Sequence, residues 1–164
     1  MDIIAGRICP ELGGREDFLD ILGFNYYYNN QWEHNGQPLP WPEFFSVRKP
    51  LSELLEIVKN RYNRPVLISE TGHFGSTRIE WFNEIMHECR IASERGIHLE
   101  GICIYPIVDR PDWDDLNSYC QCGIVDMDHE KNRVPYPEYM EIISNASFNV
   151  NTRANSSLSD ITLQ

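Results

Sequence analysis

Long apolar runs are missing from this sequence. None is long enough to cross a bilayer, and Met1-Asp2 opens no basic region followed by an apolar stretch, so neither a membrane span nor a signal peptide is expected. That places the chain in the cytoplasm. Clustered positive charge is missing too. Lys and Arg number 14 against 25 Asp and Glu, a formal net charge of -11, and no basic patch is present to reward a phosphate backbone or an anionic membrane surface. A nucleic-acid partner and a membrane partner are therefore excluded, and a neutral or cationic ligand is easier to accommodate. Cysteine is sparse and irregular. The five residues Cys9, Cys89, Cys103, Cys120 and Cys122 are odd in number and scattered, which argues for reduced thiols and against a disulfide framework. Cys120 and Cys122 with His129, or His87 with Cys89, suggest a metal only superficially. A Cys-x-Cys pair lacks the gap of two to four residues that zinc sites use and no second pair follows, so no metal and no cofactor are expected.

What is present is an ordinary globular composition over 164 residues, suited to one domain with enough aromatics for a core. From Phe18 onward, strand-like runs alternate with helix-like ones. Leu19 to Tyr28 is rich in β-branched and aromatic residues, and behind Pro50 the residues Leu51, Leu54, Leu55 and Val58 recur at helical spacing. A second strand is expected over Val66 to Glu70. It is followed by a helix with Ile79, Phe82, Ile85, Met86 and Cys89 on its core stripe, which Gly96 ends. The third strand runs from Leu99 to Tyr105. After it come a long aromatic and acidic loop, a short extended piece at Gly123 to Asp128, and a final helix from about Pro135 to Asn145.

Three βα units in succession predict a parallel sheet with right-handed crossovers. Such a sheet is expected to be apolar on both faces and to leave two backbone edges unpaired, which makes it a poor protein alone. Its units average about 40 residues, and eight of them would close a (β/α)8 barrel. The chain is accordingly read as α/β, part of a TIM barrel, with a lead-in over 1–17, the partial barrel over 18–145 and a disordered polar tail over 146–164.

Glu70 is the residue most suggestive of chemistry. It ends the run Arg64-Pro65-Val66-Leu67-Ile68-Ser69-Glu70-Thr71-Gly72, at the carboxyl end of a buried strand, where parallel α/β sheets carry their sites. The competing account is a carboxylate that caps the next segment or pairs with an arginine.

Four segments in order resemble the C-terminal portion of the family 1 glycoside hydrolases, the retaining β-glucosidase group of barrel glycosidases. Gly23-Phe24-Asn25-Tyr26-Tyr27 resembles the sixth-strand Gly-x-Asn-Tyr-Tyr, and Pro65 to Gly72 resembles the seventh-strand segment ending Thr-Glu-Asn-Gly. Gly101 to Trp113 follows the eighth-strand pattern Gly-Tyr-Phe-x-Trp-Ser-Leu-x-Asp-Asn-Phe-Glu-Trp without a gap. Gly123 to Asp128, with Arg133 and Pro135, resembles the closing Gly-Leu-x-x-Val-Asp and Arg-x-Pro. The resemblance covers roughly Asp17 to Ile143 and implies strands six to eight of the barrel. It implies hydrolysis of β-linked glycosides with retention, with Glu70 as nucleophile, Tyr27 orienting it, and Asn25, Tyr105, Asp109, Asp112 and Trp113 contacting the sugar.

The departures are Ser69 and Thr71 for Thr and Asn, Tyr105 for a Trp, and Asp112 for a longer Glu. The family's acid/base Glu, in an Asn-Glu-Pro context on the fourth strand, has no counterpart. Retaining hydrolysis needs two carboxyls about 5 Å apart, so the second is expected from the missing N-terminal half of the barrel. That half, or self-association, is the expected protein partner beside the carbohydrate substrate.

Strand periodicity gives an independent reason to pair Asn25 with Tyr27, since side chains two apart leave the same face, and it turns Tyr26 toward the helices. The alternative for Tyr27 is a core aromatic with its hydroxyl satisfied elsewhere. Trp113, Trp32 and Trp41 lie among Pro, Asn and Asp, where flat rings suit the apolar faces of sugars, although Trp41-Pro42 is also a common packing device. His73 is either a loop histidine entering the site or a solvated one. The competing functional class is a non-catalytic sugar-binding remnant or the product of a truncated gene. A redox or metal module built on the cysteines is the third reading.

Overall fold

Pro50 and Pro65 punctuate the chain where extended backbone turns into helix and where helix gives way to strand. The computed structural model describes residues 1–146, so the tail expected over 146–164 lies, beyond Ala146, outside the described residues. Strand β1 (Leu22–Asn25) leads through a long loop to helix α1 (Leu51–Tyr62), then β2 (Val66–Thr71), α2 (Arg78–Glu94) and β3 (Leu99–Ile104). The three strands form one parallel sheet in the order β1-β2-β3. Beyond them, β4 (Arg110–Pro111) pairs with β5 (Tyr119–Cys120), β6 (Val125–Met127) pairs antiparallel with β7 (Arg133–Pro135), and α3 (Pro137–Asn145) closes the described chain. The sequence-based strand of Leu19 to Tyr28 is longer than β1, because Pro65 and Glu70 supply hydrogen-bond partners only to its middle.

Helix α1 has no capping side chain of its own. Its second residue, Ser52, donates its N–H to the buried Glu88 carboxylate of α2 at 2.9 Å, so α2 caps α1 from outside. Asn63 ends α1 in the left-handed region at φ 50°. The α2 stripe of Trp81, Ile85, Cys89 and Ala92 packs with Leu51 and Leu55 of α1 onto Val66, Ile68 and Leu99 of the sheet. Tyr139 of α3 joins Phe82 and Met86 in a second cluster. The lead-in is docked against the same layer. Ala5, Leu19 and Leu22 pack against Val58 and Tyr62, and Asp2 accepts hydrogen bonds from Arg61 and the Tyr62 hydroxyl, which hold its carboxyl down at about 2.

The other face of the sheet departs from expectation. Instead of a second apolar surface it carries Gly23 and Asn25 from β1, Leu67 and Ser69 from β2, and Gly101 and Cys103 from β3, with Gly23, Asn25 and Cys103 exposed. The apolar run of β2 supplies only Leu67 to it. The residues that would make this face apolar are glycines and short polar side chains, contributed mainly by the neighbouring strands. No helix among the described residues is long and apolar enough to cross a membrane.

Candidate functional site

Glu70 belongs by strict alternation with Val66 and Ile68, which are fully buried against the helices. It does not point there. Phe24 pairs with Ile68 and Asn25 with Glu70, so Ser69 is the extra residue of a β-bulge, and two residues of β2 oppose one of β1. The bulge advances the phase by one position. Thr71 takes the buried face, where its hydroxyl accepts the Trp81 indole N–H at 3.0 Å, and Glu70 turns onto the open face beside Ser69. There the Asn25 amide Nδ2 donates to Glu70 Oε2, and the Ser69 hydroxyl donates to Asn25 Oδ1 at 2.9 Å.

Tyr27 stands next to this carboxylate. Burial first, then the charge of Glu70 and a hydrogen bond toward it, push the Tyr27 hydroxyl well above the ordinary phenol range, so it stays a donor. Tyr26, one residue earlier, faces the helices and stacks on Trp81 at 5.8 Å.

Around Glu70 opens a cleft of about 1340 Å³ whose walls include Tyr27, Tyr105, Asp109, Asp112 and Trp113. The structure thus gathers the sequence-derived candidates on one rim, with Asn25 behind Glu70. Their situations differ. Trp113 is 76% exposed, with the Arg110 guanidinium 4.8 Å from its ring centroid, and presents an open flat face. Asp112 accepts the Cys120 thiol at 3.0 Å and the Asp114 N–H at 2.8 Å, which hold its carboxyl below the usual range.

Asp109 requires a correction of role. It is 4% exposed, and its two oxygens accept backbone N–H groups of Cys122, Gly123 and Met127 at 2.8 to 3.0 Å. A carboxylate so engaged braces the loop that carries the cleft wall and is poorly placed to take sugar hydroxyls. Asp109→Asn keeps one acceptor but sets an NH2 group against the Met127 N–H. It is expected to cost about 1–2 kcal/mol in urea denaturation; an unchanged midpoint would contradict this bracing role.

Trp41 is also a packing residue. It is 9% exposed and meets Trp81 edge to face at 5.4 Å, whereas Trp32 is 65% exposed and lies outside the cleft wall. His73 is not solvated: it lines the cleft from a packed position. It is 7% exposed, tilted against Tyr28 at 4.2 Å, and its Nδ1 accepts the Phe74 N–H at 2.8 Å. Burial lowers its pKa below the ordinary 6.5. Below that value the unfolded chain takes up a proton that the folded one resists, so stability falls as pH drops from about 6.5 toward the folded pKa, and His73 contributes no pH dependence above it. The expected outcome is a steeper loss of urea midpoint between about pH 7 and about pH 5 for the native chain than for His73→Phe. Parallel curves would refute it.

Ser69 and Cys120 are the site residues that sequence reasoning missed as contributors. Ser69 was visible only as a departure from a family motif, and the bulge that aims it leaves no periodic trace. Cys120 and Cys122 line the cleft as free thiols, and among the described residues no group of three or more His, Cys, Asp or Glu could hold a metal ion.

No family model matches the sequence, and no curated protein matches it. Solved structures do. The family 1 β-glucosidase from Thermotoga maritima superposes with a TM-score of 0.58 at 19% identity, over 88% of this chain and 41% of that one. The same enzyme in complex with glucoimidazole gives 0.58 at 20% identity over 88% and 41%. The β-glycosidase from the hyperthermophile Thermosphaera aggregans gives 0.57 at 20%, over 79% and 33%. At such identity the likeness is one of fold. The described chain therefore has the fold of part of a family 1 β-glucosidase and spans about 41% of the length of the Thermotoga maritima enzyme.

Proposed function

We propose that this chain is the nucleophile-bearing part of a retaining β-glycosidase, corresponding to strands six to eight of a (β/α)8 barrel. The observation that carries the reading is the bulge at Ser69. It sets the Glu70 carboxylate on the open face at the carboxyl end of the middle strand, held by Asn25 and walled by Tyr27. A carboxylate aimed into an aromatic-walled cleft and oriented by fixed donors is equipped to attack an anomeric carbon. Tyr105 and Trp113 would offer flat faces to the sugar, Asp112 would accept from its hydroxyls, and Asn25 and Tyr27 would keep Glu70 aimed during attack.

The second carboxyl is the missing part. Of the other carboxylates that line the cleft, Asp109 is tied to three backbone amides, Asp112 to a thiol and a turn, and Asp128 to the amides of Glu130 and Asn132, while Asp114 stands exposed on the loop beside Trp113. A retaining acid/base must stand about 5–5.5 Å from the nucleophile, protonate the departing oxygen, and later activate water. We assign that role to residues outside these 164, on strands that also complete the sheet beside the edges of β1 and β3, which pair with no other strand among the described residues. Because glucoimidazole is bound by the Thermotoga maritima enzyme, a gluco-configured glycone is the first substrate class to try.

The test is covalent. The chain completed by the remaining barrel strands, in one polypeptide or in trans, is incubated with a 2-deoxy-2-fluoroglycoside bearing a good leaving group and digested for mass spectrometry. An adduct on the peptide containing Glu70 is expected. An adduct on another residue, or none with a completed and folded barrel, overturns the reading in favour of a non-catalytic sugar-binding fragment.

A further inference from the structure

We infer that Ser69 is a positioning residue, which orients the Asn25 amide so that its NH2 group, and not its carbonyl, faces Glu70. The inference rests on the proposed role of Glu70 for its catalytic consequence but not for its structural content. It begins with the bulge. Because Ser69 has no partner residue on β1, it and Glu70 share one neighbour, Asn25, and the three side chains form a single file: Ser69 Oγ donates to Asn25 Oδ1 at 2.9 Å, and Asn25 Nδ2 donates to Glu70 Oε2.

The direction of that file follows from donor and acceptor capacity. An ionised carboxylate only accepts, so the amide must turn its NH2 toward Glu70, and this turns its carbonyl toward position 69. A carbonyl there needs a donor. The Ser69 hydroxyl supplies one, and with both ends of the amide engaged the alternative orientation, carbonyl against carboxylate, has no support. An alanine at 69 would leave Oδ1 without a protein donor and the Asn25 side chain held at one end only.

Gly23 provides a second, independent observation. A Cβ at this position would lie 3.2 Å from Ser69 Oγ and 3.3 Å from Ser69 Cβ, tighter than side chains ordinarily approach. The absence of a side chain at Gly23, which pairs with Leu67 and lies diagonally from Ser69, is what leaves room for the hydroxyl to reach across to Asn25. The file is therefore built from both strands.

The experiment reads the Asn25 side chain directly in the native 164-residue chain, by nitrogen-edited NMR of its two amide protons. In the native chain the proton bonded to Glu70 is expected to be shifted downfield and protected from solvent exchange. Ser69→Ala is expected to reduce that protection about tenfold, and Ser69→Thr, which retains the hydroxyl, to restore it to within about twofold. In the completed barrel, Ser69→Ala is expected to slow fluoroglycoside labelling by about tenfold, and to add no further slowing to that of Asn25→Ala. An unchanged Asn25 signature in Ser69→Ala, or full additivity of the two variants in labelling, overturns the assignment. A lost Asn25 signature in Ser69→Ala without any labelling of Glu70 in the native completed barrel upholds the positioning and refutes the catalytic reading alone.

Discussion

Glu70→Gln is expected to abolish fluoroglycoside labelling and to lower turnover by at least about a thousandfold in the completed barrel, while leaving the fold intact. The substitution is close to isosteric and isolates the chemistry. An amide oxygen at the same position still accepts from Asn25 Nδ2, so the contact that fixes the side chain on the open face survives. Glu70 is half-buried and has no salt-bridge partner among the described residues, so neutralising it leaves no orphaned cation behind. What the amide cannot do is attack an anomeric carbon and later leave. Thermal or urea denaturation of the variant is therefore expected to stay within about 0.5 kcal/mol of the native chain. Hydrolysis that persists in Glu70→Gln at more than a few per cent, in material with the native melting curve, would show that another group is the nucleophile. The same result would remove the reason for reading the bulge as a device that aims this residue.

The parts of this fold that were legible in the sequence are those with a period. The stripes at Leu51, Leu54, Leu55 and Val58 and at Ile79, Phe82, Ile85, Met86 and Cys89 lie within α1 and α2, and Gly96, at φ 75°, follows the end of α2. The short β-branched run at Val66 and the run at Leu99 became adjacent parallel strands, because a helix of this length returns the chain to the same edge. What stayed hidden lacks a period. A bulge is a one-residue fault in alternation, and in Val66-Leu67-Ile68-Ser69-Glu70-Thr71 the polar residues at its end read equally well with or without it. The open face was misread for a related reason. An apolar run in β2 says nothing about which residues of β1 and β3 flank it, and those turned out to be Gly23, Asn25, Gly101 and Cys103.

Residue type also proved a weaker guide to role than residue environment. Asp109 and Asp112 look interchangeable in an acidic loop. One is sealed by three backbone amides at the base of that loop, and the other stays at the cleft with a thiol and a turn amide on its oxygens. His73 likewise sits in a glycine-flanked loop that reads as solvated, but it fills the gap between Tyr28, Trp41 and Trp81. In each case the decisive partner is eight or more residues away or is a backbone group, and neither leaves a mark on the local sequence.

A large structural effect is expected at Gly72, where the two halves of the rim touch. A Cβ built there would lie 2.1 Å from the backbone oxygen of Tyr105, so Gly72→Ala can be accommodated only by moving backbone. The moving parts are consequential. Tyr105 donates its N–H to the Thr71 carbonyl at 2.8 Å, the last bond that ties the end of β2 to the exit of β3. Forcing the Tyr105 carbonyl outward breaks that bond or displaces Thr71, whose buried hydroxyl accepts from Trp81. Either way Glu70 separates from Tyr105 and from the loop braced by Asp109. The expected cost is about 3 kcal/mol in urea denaturation, the upper end of overpacking substitutions. Gly75→Ala supplies the control. Gly75 lies three residues on at φ 64° with nothing near its missing Cβ, so that substitution costs only the left-handed backbone penalty of about 1 kcal/mol. If the two variants lose equal stability, close contact at Gly72 is not what holds the rim together. If Gly72→Ala alone is strongly destabilised, the junction of β2 with the Tyr105 loop is the hinge on which the placement of Glu70 depends.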